Sequence, residues 1–189
     1  MSPEFYTIME NNPVIAAVKS WDDLRESCKL EEIRVVFVLF GDICTVGSIV
    51  DEIKAAGKLA IVHVDLITGL VGKEIAVDFI HTSTHADGVI STKPGLIRRA
   101  RELGLYTVLR IFLLDSMAMD NLPHQVSMGR PDLVELLPGL MPKMIRLVRS
   151  RVRVPIIAGG LIADKEDVVN ALDAGAIAVS STNQNVWSM

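Results

Sequence analysis

The chain has 189 residues, half of them hydrophobic, and a formal net charge of −4. That is enough apolar material for a sizeable core in one domain over residues 1–189. The acidic balance argues against indiscriminate nucleic-acid or membrane binding while leaving room for a local basic patch.

Pro13 to Val18 is the first β-rich run, and Ser20 before Trp21-Asp22-Asp23 reads as the N-cap of a helix. Ile33 to Phe40 is apolar throughout, as expected of a strand covered on both faces. Val46 to Ala56 is a helix closed by Gly57. Leu59 to Ile67 reads as a third strand, with His63 and Asp65 on one face by alternation. Gly72 to His81 is a helix, Ala86 to Ser91 a strand, Pro94 to Glu102 a helix opened by proline, and Leu105 to Leu114 a strand. Residues 117–132 are irregular, containing Pro123, Gly129 and Pro131, and are expected to hold a reduced fifth helix. Strands over Leu133–Leu137, Pro155–Ala158 and Ala176–Ser180 alternate with helices over Pro142–Arg151 and Lys165–Ala174.

Eight strands alternating with helices predict an α/β fold, a single compact (β/α)8 TIM barrel with short loops. At 189 residues it lies below the usual range, which starts at about 200. A doubly wound open sheet is the alternative, although no G-x-G-x-x-G follows the first strand.

Cys28 and Cys44 are too few and too far apart for a C-x-x-C or zinc set, and read as reduced thiols. No signal-peptide pattern and no apolar run near the roughly 18 residues of a membrane span are present. A soluble, cytoplasmic protein with no membrane association is expected.

Function in such a barrel collects at the C-terminal ends of the strands, with phosphate commonly held after strands seven and eight. Val154 to Thr182 has that layout. Gly159 and Gly160 let backbone amides approach an anion, and Ser180, Ser181 and Thr182 add hydroxyl donors. Lys19 and Lys93 at strand ends are either ligand contacts or solvated loop residues; beside an anion cradle, contact is the expectation. Asp65 either accepts hydrogen bonds from a polyol hydroxyl or a lysine, or caps a helix. Glu135 lies inside an apolar strand and either has a hydroxyl or lysine partner or stands at an exposed edge; a partner is the expectation. Asp65, Asp115 and Glu135 offer oxygen ligands, but their spacing specifies no metal, and no cofactor is expected. His63 reads as a core histidine. Arg146, Arg149 and Arg153 have near-helical spacing and form either a solvated face or a local RNA contact.

Four stretches, His63-Val64-Asp65-Leu66-Ile67, Gly88 to Lys93, Glu135 to Lys143 and Ile156 to Ile162, resemble in this order the glycerol uptake operon antiterminator family, over nearly the whole chain. The resemblance implies a regulatory barrel that senses glycerol 3-phosphate and acts on the leader of nascent mRNA to prevent termination. It also implies that Gly159, Gly160 and the final hydroxyl cluster hold the phosphate. Where that family usually reads serine, threonine, serine, this chain has Ser180-Ser181-Thr182, which keeps the hydroxyl chemistry. The expected ligand is glycerol 3-phosphate or a similar small phosphorylated polyol, and the expected partner is leader mRNA, with oligomerisation open. The rival is a phosphosugar or glycerophosphodiester enzyme on the same fold, using Glu135 or Asp65 as acid or base. A barrel that binds phosphate but no RNA is a third reading.

Overall fold

The structure, a computed structural model, describes residues 3–189. Eight parallel strands, β1 (Val14–Val18), β2 (Val35–Val38), β3 (Leu59–His63), β4 (Gly88–Ser91), β5 (Tyr106–Phe112), β6 (Leu133–Leu137), β7 (Ile156–Gly159) and β8 (Ala178–Ser181), pair in chain order and close with β8 against β1. The helices are α1 (Pro3–Asn11), α2 (Trp21–Lys29), α3 (Val46–Ala55), α4 (Glu74–Ser83), α5 (Pro94–Glu102), α6 (Ser116–Gly129), α7 (Pro142–Arg151), α8 (Lys165–Asp173) and α9 (Gln184–Trp187). This is the TIM barrel expected from the alternation of elements.

Side-chain alternation sorts the core into an inside and an outside. Ile15, Ala17, Phe37, Ile61, Ile90, Val108, Leu133 and Ile157 fill the barrel, while Val18, Val38, Val62 and Val89 lie under the helices. Ser20 caps α2 by accepting the Asp23 amide at 3.1 Å, and proline opens both α5 and α7.

The expected shortening of the fifth helix is not what the chain does. The helix after β5, α6, has 14 residues and carries Pro123 in its interior. Proline removes the hydrogen bond that the Met119 carbonyl would receive, and Arg151 Nη1 from α7 supplies a donor to that oxygen at 3.3 Å. The helix then ends in a left-handed Arg130 at φ 47°. The economy falls instead on the last helix. After β8 only α9 follows, with four residues, and its buried Trp187 donates from Nε1 to the Ser181 carbonyl at 2.7 Å. A second difference lies at β3, which ends at His63 rather than Ile67 because Val64–Leu66 wind into a 3-10 turn.

One element was not expected at all. Helix α1 closes the N-terminal end of the barrel, its Phe5 and Met9 fully buried against the barrel interior. The Phe5 ring stacks on Tyr106 with centroids 4.0 Å apart, so the barrel opens only at its C-terminal mouth. Among the described residues, no helix is long and apolar enough to cross a membrane.

Removing the ring that closes this end leaves a cavity the short strands cannot collapse into. Phe5→Ala is expected to lower stability by about 3–5 kcal/mol in urea denaturation, and Phe5→Leu by clearly less.

Candidate functional site

The floor of the mouth is polar, and its one carboxylate is paired on both oxygens. Arg110 on β5 and Glu135 on β6 are register partners that face inward, and Arg110 Nε donates to Glu135 Oε2 at 2.6 Å. From β8, Ser180 Oγ donates to Glu135 Oε1 at 2.5 Å. Gly159 of β7 lies between them. A Cβ there would come within 2.5 Å of Glu135 Oε1 and 2.6 Å of Ser180 Oγ, so the missing side chain lets the bond pass across the strand. Glu135 is completely buried, and a buried carboxylate is tolerated only with such partners. Its cation is an arginine rather than a lysine. Arg110 escaped sequence reasoning because it sits in an otherwise apolar run; its inward parity with Val108 was the available signal.

Above this floor opens a cavity of about 350 Å³, lined by Arg110, Glu135, Ser180, Ser181 and Thr182 and by the loop 160–163. The two Nη groups of Arg110 make no hydrogen bond to a described residue. Gly160 and Leu161 are both left-handed, at φ 74° and 64°. That conformation is costly for leucine, and Leu161 stands 72% exposed on the rim. Ser181 points away from the barrel axis, where its Oγ donates to the Ile162 carbonyl at 2.7 Å and holds the loop. Thr182 is exposed.

Asp65 and Lys93 gather on the opposite side of the mouth and do not line this cavity. Asp65 Oδ2 accepts three bonds: from Ser91 Oγ at 3.0 Å, the Thr92 amide at 2.7 Å and Thr92 Oγ1 at 3.1 Å. Burial pushes the Asp65 carboxyl up, but these donors outweigh it and hold it below the ordinary value. Lys93 Nζ is 3.6 Å from Asp65 Oδ1 and rests over Gly72. Lys19 is exposed at the end of β1, its amide donating to Asp23 Oδ2. His63, buried beneath Asp65, is pushed down to about 4 by burial and then by Arg110; its Nδ1 has no hydrogen-bond partner among the described residues. Asp115 caps α6 by accepting the Ala118 amide. Among the described residues no group of three metal-ligating side chains converges.

The two sides of the mouth share one local design. Ser91 ends β4 as Ser181 ends β8. The amide of Lys93 donates to Ser91 Oγ at 3.0 Å, and the amide of Asn183 donates to Ser181 Oγ at 3.0 Å. Between them stand Thr92 and Thr182. The amide and hydroxyl of Thr92 grip the Asp65 carboxylate. Thr182 has the same two donors, and neither bonds to a described residue. Asp65 lies two residues past His63, the end of β3; two residues past Gly159, the end of β7, stands Leu161, with no anionic group.

Arg146 and Arg149 lie on α7 and Arg153 just beyond it. Arg149 and Arg153 border a separate cavity at the closed end of the barrel, and Arg146 does not.

The sequence profile of the family described as glycerol-3-phosphate responsive antiterminators matches residues 14–187. The uncharacterized protein YgcP of Escherichia coli (strain K12) is 44% identical over 182 residues, 96% of this chain and 95% of that one. The crystal structure of a glycerol uptake operon antiterminator regulatory protein from Listeria monocytogenes str. 4b F2365 is 31% identical, with a TM-score of 0.90 over 94% of this chain and 95% of that chain. A glycerol uptake operon antiterminator-related protein from Thermotoga maritima MSB8 is 32% identical, with a TM-score of 0.82 over 94% and 99%. Aldolases and a decarboxylase at 13–18% identity share the fold alone.

Two stability outcomes follow from the buried groups. An unfolded histidine takes up a proton near pH 6.5, whereas native His63 holds off until about 4; stability therefore falls as pH drops through that window. Going from pH 7 to 5 is expected to cost about 2 kcal/mol through His63, read as a lower urea midpoint that His63→Gln makes less pH-dependent. Glu135→Leu strands the Arg110 charge and is expected to cost about 3–5 kcal/mol, most of it recovered when Arg110→Met is added.

Proposed function

The chain belongs to the glycerol-3-phosphate responsive antiterminator family, and from that premise we propose that it is a cytoplasmic, single-domain sensor that binds glycerol 3-phosphate in the mouth cavity and acts on the leader mRNA of glycerol-uptake genes. The observation that carries the ligand site is the filled cradle at β4. There the chain uses its own Asp65 carboxylate to satisfy a threonine amide and hydroxyl. At β8 the same donors of Thr182 border a cavity whose lining carboxylate, Glu135, is held by Arg110 and Ser180 instead. A phosphate oxygen fits where the Asp65 oxygen sits in the other half, because an anion accepts the same bonds.

The Gly160 amide and the Thr182 amide and hydroxyl hold the phosphate, over the backbone opening that Gly159 provides. Arg110 offers its Nη groups from the floor. Ser180 is committed to Glu135 and Ser181 to the Ile162 carbonyl, so both shape the cradle. Lys19 and Lys93 are long cationic arms at the rim that offset the ligand's charge, and Asp65 and Glu135 order the donors that meet its hydroxyls.

A binding role suits the floor better than turnover. Glu135 is the one carboxylate lining the cavity, and both of its oxygens are engaged. An acid or base needs a free atom within reach of its substrate.

The test is a thermal-shift series with glycerol 3-phosphate, glycerol and inorganic phosphate. At about 100 times its dissociation constant, glycerol 3-phosphate is expected to stabilise the fold by roughly 2.7 kcal/mol. Thr182→Val, which removes one donor, weakens it by about tenfold. No shift with glycerol 3-phosphate overturns the sensor, and turnover of a glycerophosphodiester by the purified protein overturns the non-enzymatic reading.

A further inference from the structure

At the closed end of the barrel, a cavity of about 320 Å³ is framed by Tyr6 of α1, by Arg149 and Arg153, and by the segments that lead into β7 and β8. Three features set it apart from ordinary solvated surface. Arg149 and Arg153 form no ion pair with a described carboxylate, whereas nearby Arg151 is held by Asp120 and Arg101 by Asp132. Gly175, at φ 102°, makes room for one guanidinium: a Cβ there would come within 2.5 Å of Arg149 Nη1. Tyr6 is half-buried and lines the cavity, its hydroxyl donating to the Glu10 carboxylate and lying within electrostatic reach of Arg149.

An aromatic residue flanked by two guanidinium groups that no described carboxylate pairs directly is the pattern that takes a splayed nucleotide, with a base on the ring and phosphates on the arginines. We infer that this cavity is a contact for single-stranded RNA, with Tyr6 stacking on one base and Arg149 and Arg153 holding the adjacent phosphates. The inference rests on the proposed action on leader mRNA and gives that action a place. Arg146, on the same helix, stands outside the contact. The placement puts RNA and ligand at opposite ends of the same two strands. Each of those strands has four residues, so the ends lie about 13 Å apart at roughly 3.3 Å per residue.

The measurement is fluorescence anisotropy with a labelled leader transcript of a glycerol-uptake operon from the protein's own genome, with and without glycerol 3-phosphate. Tyr6→Ala is expected to weaken binding by about ten- to a hundredfold, while Tyr6→Phe retains it. Removing Arg149 and Arg153 reduces the slope of log affinity against log salt by about 0.7 for each, and Arg146→Ala leaves it unchanged. An unaltered glycerol 3-phosphate thermal shift in each variant confirms an intact barrel. If wild type binds the transcript and both Tyr6→Ala and the double arginine variant bind it equally well, the cavity is not the contact. If wild type binds no transcript under either condition, the RNA part of the proposed function falls, and this inference with it.

Discussion

A carboxylate at the centre of a barrel is stable only when both of its oxygens are met, and around Glu135 this demand organises the mouth. One oxygen takes Arg110 from the neighbouring strand, and the other takes Ser180 from two strands away. The second bond crosses β7, which obliges β7 to carry glycine at that level. The interaction thus dictates residues on four strands. It also leaves the floor electrically balanced, the Arg110 guanidinium against the Glu135 carboxylate.

The barrel was legible wherever local chemistry and the fold agree. Proline at 94 and 142 and the apolar stretch 133–137 each mark an element whose limits the structure keeps, and the acids after Ser20 mark a helix start that it keeps. It was illegible wherever a distant residue decides. Pro123 looks like a helix breaker until Arg151 reaches the carbonyl it orphans, and no local pattern announces a donor from the following helix. Asp65 looked like an alternating strand residue, but the chain turns after His63 and delivers it to β4. The segment 3–11 carries no strand or barrel signature because its role, closing the barrel floor with Phe5 and Met9, exists only once the barrel does. Of the candidate residues, Glu135, Gly160, Ser180, Ser181 and Thr182 surround one cavity, while Lys19, Asp65 and Lys93 sit elsewhere on the mouth.

Family membership and fold carry different weights here. The Listeria and Thermotoga structures combine overlap over nearly the whole chain with about 30% identity. The aldolases reach TM-scores of 0.70–0.73 at 13–14% identity, which shows the fold alone. A barrel of this type accommodates many chemistries because its strand ends are interchangeable. The residues at those ends, and the partners they already have, decide between them.

The occupied cradle at β4 bears on selectivity. Many phosphorylated metabolites carry a phosphate at each end, and a barrel with two open threonine cradles facing across its mouth suits such molecules. This chain has closed one of its two addresses with its own side chain. A bisphosphate seated at β8 would bring its second charge towards Asp65, a like charge already holding the donors it needs. On the proposed phosphate site at β8, the half-barrel likeness would act as a filter, since the second charge of a bisphosphate would meet Asp65 rather than a second vacancy.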